Sequence, residues 1–155
     1  MTEPQTALHP ADRFARQVLV IAGAACLTIG LASLFAPVAV ADFVNIELKD
    51  SLARFDFRAV YGGLDLGIGA FLVIAALRKP WRLPALNMSC LVFGGLILGR
   101  VVSLALDEGP GVVGWVLMGL EVAVLAISAA ALLRLHGARA EERAQERAAE
   151  QSAAV

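Results

Sequence analysis

Cysteine, histidine and charge are all scarce in this sequence, and each scarcity closes off a class of function. The two cysteines, Cys26 and Cys90, stand alone inside apolar runs, so neither a disulfide framework nor a C-x-x-C zinc or redox motif is available. Buried thiols of this kind behave as small hydrophobes. The two histidines, His9 and His136, have no partner at ligand spacing, so no metal site is expected, and no cofactor is implied. Charged residues make up 17% of the chain and the formal net charge is −1, which leaves no basic surface for nucleic acid. The glycines are no phosphate loop, because no lysine stands at the Walker spacing and no strand precedes them.

Apolar residues are what the sequence does have. They make up 59% of the 155 residues, with a mean hydropathy of +0.73, whereas a soluble domain is about 45–50% apolar. Most of these side chains therefore need lipid. Four runs are long enough to cross about 30 Å of hydrocarbon, at near 20 residues each: Val18–Val40, Ala59–Leu77, Ala85–Leu106 and Gly111–Leu135. The expected fold is all-α, an integral membrane four-helix bundle. Residues 1–17 precede the membrane domain of residues 18–135, and residues 136–155 follow it as a charged tail. Pro37 should end or kink the first span, and the turns Arg78–Pro84 and Asp107–Pro110 carry the proline and charge that stop helices.

Basic residues set the orientation. Arg13, Arg16, Arg78, Lys79, Arg82, Arg134, Arg139, Arg143 and Arg147 fall on one side, against Lys49, Arg54 and Arg58 on the other. Both termini are thus expected to be cytoplasmic, in a bacterial inner membrane. Ala39-Val40-Ala41 before Asp42 also resembles a signal-peptide cleavage site, but the apolar run is longer than the usual core of about 7–15 residues. In the first loop, Asp50 or Ser51 is placed to cap a short helix carrying Leu52 and Phe55. In the tail, Arg139/Glu142, Arg143/Glu146 and Arg147/Glu150 are i,i+3 pairs that suit a solvated helical extension of the fourth span.

Three ionisable residues interrupt the spans: Asp65, Arg100 and Glu121. Each isolated charge at mid-membrane costs roughly 2.5–3.5 kcal/mol, so they should face the bundle interior and neutralise one another. Asp65 lies seven residues, about 10 Å, from Arg58, and Arg100 lies the same distance from Asp107. Glu121 is about 15 Å into the fourth span, within reach of a long arginine. A cluster at one level is expected. At α-helical spacing Arg58, Tyr61 and Asp65 share one face, and Arg100, Ser103 and Asp107 another. Together they would form a polar funnel floored by Glu121, whose face also carries Met118, Leu125 and Ser128. An interhelical clamp is the alternative, although buried ion pairs contribute little net stability. Gly63/Gly67 and Gly95/Gly99 form G-x-x-x-G pairs, which suit close packing within the bundle or, alternatively, an oligomer.

The strings Arg58-Ala59-Val60-Tyr61-Gly62-Gly63-Leu64-Asp65 and Arg100-Val101-Val102-Ser103-Leu104, the Asp107–Pro110 turn and Glu121 together resemble a known pattern. It is that of the small bacterial membrane family catalogued as domain of unknown function 4345, over roughly Val18 to Leu135. The family often carries Glu where Asp65 stands. The resemblance implies four spans and no cleaved signal, and it supplies no activity. Three functions remain open. One is a binding module for a lipid-like or quinone-like amphiphile, with Arg58 and Arg100 engaging an anionic or carbonyl head and glycine-rich walls holding the tail. Another is an intramembrane isomerase, hydrolase or cyclase using Asp65 or Glu121 as catalytic acid or base. The last is a carrier, accessory or structural subunit held by a charge clamp.

Overall fold

The computed structural model describes residues 9–106 and 109–153, and among these every regular element is helical. Helix α1 (Pro10–Phe35) opens with proline at its first position, where no N–H is needed, and His9 caps it by accepting the Ala11 N–H at Nδ1. It stops at Phe35, and a short helix α2 (Pro37–Phe43) begins at Pro37 after a non-helical Ala36. Asn45 then takes a left-handed conformation (φ 60°), which lets Ile46 N–H reach the Ala41 carbonyl at 2.8 Å. Helix α3 (Ser51–Phe57) is capped by the Asp50 carboxylate, 2.8 Å from the Ala53 nitrogen.

From α3 the chain passes without a break through a π-helical stretch, Arg58–Leu64, into α4 (Asp65–Leu77). After a 3-10 turn at Lys79–Trp81, where the Arg78 guanidinium sits 5.3 Å from the Trp81 ring centre, α5 runs Arg82–Leu106. Helix α6 (Gly111–Ala153) opens on Gly111 at φ +62°, a conformation suited to glycine. It continues well past Leu135, where the apolar run ends. Four helical stretches are long and apolar enough to cross a membrane: Pro10–Phe35, Ser51–Leu77, Lys79–Leu106 and Gly111–Ala153.

Two antiparallel hairpins result. In the first, α1 and α4 approach backbone to backbone through glycines one heptad apart on each helix. A Cβ on Gly23 would lie 2.9 Å from the Gly69 carbonyl oxygen, and one on Gly30 would lie 3.0 Å from that of Gly62. The expected G-x-x-x-G pairs do not make this contact. At Gly67, Gly95 and Gly99 an added Cβ would meet nothing within 4 Å, and at Gly63 its nearest neighbour would be 3.9 Å away. The reason is angular for three of them: at 100° per residue Gly67 on α4 and Gly95 and Gly99 on α5 fall well away from the inward stripes of Asp65 and Arg100. In the second hairpin α5 and α6 are stitched by hydroxyl and ion pairs described below.

The hairpins join at the end of the bundle that carries Asp12 and Arg82, here the basic end. Ala15, Leu19 and Ala22 of α1 pack with Leu72, Ala75 and Ala76 of α4, Ala85 and Leu86 of α5, and Ala131 and Leu135 of α6. A buried ion pair closes this end. Arg82 donates from Nη1 to Asp12 Oδ1 at 3.0 Å and from Nε to the Ala76 carbonyl at 3.2 Å. Lys79 adds a second cation 3.4 Å from Asp12 Oδ2, and Arg139 of α6 donates to the Lys79 carbonyl.

Candidate functional site

Inward-facing stripes can be followed along each helix in heptad steps, which drift only about 20° on a straight helix. In α4, α5 and α6 they lose burial away from the basic end, whereas α1 loses it only on the Ala15–Ala22–Ile29 stripe (Ile29 is 50% exposed) and stays buried along Leu19, Cys26 and Ser33. In α4, Leu72 is fully buried and Asp65 only partly. In α5, Leu86 is fully buried, Phe93 partly, and the Arg100 side chain is 32% exposed. In α6, Leu135 and Ser128 are buried and Glu121 partly. The core shared by all four helices therefore lies in the basic half, and Asp65, Arg100 and Glu121 stand in the far half, where these stripes are less covered.

Of the expected cluster, the structure pairs two members directly. Arg100 donates from Nε and Nη2 to the two Glu121 carboxylate oxygens, both at 2.5 Å, in a bidentate contact between α5 and α6. Two to three turns nearer the basic end, the buried hydroxyls of Ser89 and Ser128 meet at 3.0 Å across the same seam. Asp65 stands on the opposite hairpin and makes no ion pair among the described residues. Its stripe-mates Leu72 and Ala76 lie in the core, so its helix face is directed inward.

Arg58 and Tyr61 both lie in the π-helical stretch, whose wider, i→i+5 turn means that the α-helical angle used for the sequence reading does not apply there. Arg58 turns to α1 and donates from Nε to the Leu34 carbonyl at 3.0 Å, capping the end of that helix. Tyr61 stacks on Phe57 with ring centres 4.6 Å apart and is 44% exposed. Ser103 is exposed on α5, and Asp107 lies outside the described residues.

Sequence reasoning missed the burial of four polar groups: Asp12, Ser33, Arg82 and Ser89. Asp12 and Arg82 form the buried pair at the basic end, and Arg82 was read only as a loop charge. Its i, i+3, i+4, i+7 spacing with Ala85, Leu86 and Ser89, the buried residues of α5, was the available signal. Ser33, on the α1 stripe one heptad beyond Cys26, is fully buried and its hydroxyl has no hydrogen-bond partner among the described residues. No group of three His, Cys, Asp or Glu side chains suited to a metal occurs among the described residues. A shallow recess of about 300 Å³ lies elsewhere, between His9, Pro10 and Ala11 of the α1 start and Arg134 and Glu141 of α6.

Four apolar helices of membrane-spanning length, with charged residues facing inward in one half, define an all-helical protein of membrane character. The chain belongs to the family described as Domain of unknown function (DUF4345), whose model matches residues 14–132. No curated protein and no solved structure matches it.

Proposed function

We propose that this protein is a multi-pass membrane binding module that takes a hydrophobic or amphiphilic small molecule into a wedge between its hairpins, in the half that carries Asp65, Arg100 and Glu121. The observation that supports this reading is the fading of burial along the inward stripes of α4, α5 and α6, and along the Ala15–Ala22–Ile29 stripe of α1, towards that half. A clamp alone would sit best where the helices are tightly packed, and the basic end already has one in Asp12–Arg82. Charges in a half-open wedge instead sit where a polar head can be met while an apolar tail lies along Ile29, Ile68 and Phe93. In this reading Arg58, Tyr61, Ser103 and Asp107 belong to the mouth. The excess of arginine and lysine near the basic end supports an inner-membrane orientation with both termini cytoplasmic, so the wedge opens to the outer side.

Mass spectrometry of small molecules co-purifying in mild detergent tests the reading. A species enriched on the wild type and lost from a folded Arg100→Gln variant is expected. If a folded wild type carries nothing beyond bulk lipid, and Arg100→Gln only lowers folded yield, the charges are structural.

A further inference from the structure

The proposed binding reading leaves the chemical class of the head open, and the charge arrangement of the wedge narrows it. We infer that the wedge selects an uncharged lipid whose head presents a hydrogen-bond acceptor oxygen, such as a quinone or ester carbonyl, and rejects fatty-acid and other anionic heads. This inference rests on the reading above.

The argument begins with the Arg100–Glu121 pair. A guanidinium has five N–H donors. Nε and Nη2 are taken by the Glu121 carboxylate. Nη1 makes no hydrogen bond among the described residues, while the side chain remains 32% exposed. Glu121 thus acts as a positioning residue that fixes the plane of the guanidinium, and among the described residues no acceptor takes its remaining N–H groups. An acceptor oxygen entering the wedge meets oriented donors without having to break an ion pair.

Charge balance decides what kind of acceptor fits. Among the described residues, the proposed wedge would hold two carboxyl groups, Asp65 on one hairpin and Glu121 on the other, and one guanidinium, Arg100. Arg58, the next cation along α4, has turned to the Leu34 carbonyl on α1. An anionic head would find Arg100 already neutralised, with a second carboxyl on the facing hairpin. Burying an uncompensated charge at membrane depth costs roughly 2.5–3.5 kcal/mol, whereas a neutral carbonyl incurs no such cost and accepts the same hydrogen bonds. Had the wedge evolved for anions, Arg100 would be expected without its bidentate partner.

The test uses the full chain in detergent and three probes of matched tail: decylbenzoquinone, monodecanoylglycerol and decanoate. The wild type should bind one of the two neutral probes at least about tenfold tighter than decanoate, and which of them wins separates a quinone from an ester. Glu121→Gln frees the positive charge of Arg100 and should reverse the preference towards decanoate. Arg100→Lys, chosen because it keeps the charge and the fold, should lose the neutral probe through loss of the fixed donor plane. A wild type that prefers decanoate overturns the selectivity inference and leaves the binding module standing. If none of the probes binds and no small molecule co-purifies, both ideas fall.

Discussion

Asp12 and Arg82 show what one charge pair does when nothing else competes for it. Both side chains are buried, the guanidinium is shared between a carboxylate and the Ala76 carbonyl, and three segments of chain converge there. Removing one member strands the other, which typically costs about 3–5 kcal/mol, whereas replacing both with apolar groups is close to neutral. Arg82→Gln should therefore sharply lower the thermal midpoint in detergent, and Asp12→Leu with Arg82→Leu should recover most of it; a midpoint unmoved by Arg82→Gln would show that the pair contributes nothing. Ser89 and Ser128 work at a smaller scale, since hydroxyl pairs between membrane helices average about 0.6 kcal/mol. Among the charged residues, Asp65, Arg100 and Glu121 were legible because each interrupts an apolar run. Asp12 and Arg82 were not, because they lie at the edges of their runs, where charge is ordinary.

At the scale of elements, one short segment changes which residues face one another. The π-helical stretch Arg58–Leu64 lies across the Arg-Ala-Val-Tyr-Gly-Gly string and releases Arg58 towards α1. Nothing in the hydrophobic pattern announces such a turn, so helical spacing placed Arg58 on the face of Asp65, whereas in the structure it turns to the Leu34 carbonyl. The helix-ending Pro37 and the Asp50 cap were legible, since each acts through local backbone chemistry. Glycines divided unevenly. Their presence signalled close packing, but which ones make contact depends on helix rotation, and the tight positions are Gly23, Gly30, Gly62 and Gly69. Gly69→Ala should destabilise the bundle by about 1–3 kcal/mol through overpacking, while Gly95→Ala, with open space around its Cβ, should leave stability unchanged or slightly raised. Unfolding monitored by circular dichroism in graded denaturing detergent compares the two, and equal losses would contradict the assigned α1–α4 interface.

For the whole molecule, the composition and the four apolar runs carried the all-helical architecture. They could not carry the gradient of burial towards the far half, which depends on how the two hairpins lean on each other and shows only along stripes the sequence merely lines up. Orientation is the part of the account that sequence alone supports. A cysteine introduced at Asp107 should react with a membrane-impermeant maleimide in intact cells, and protection there combined with labelling at Arg139 would invert the orientation. The wedge itself is tested most directly by distances between spin labels in lipid nanodiscs. One pair spans the hairpins in the far half, at Leu64 on α4 and Leu96 on α5, and a second pair reports the basic end, at Leu77 and Asn87. The account predicts a narrow distribution at the basic end and a broad one in the far half, which tightens when a bound amphiphile is present. Two equally narrow distributions, unaffected by lipid extract, would contradict it and return Asp65, Arg100 and Glu121 to the role of a closed structural clamp.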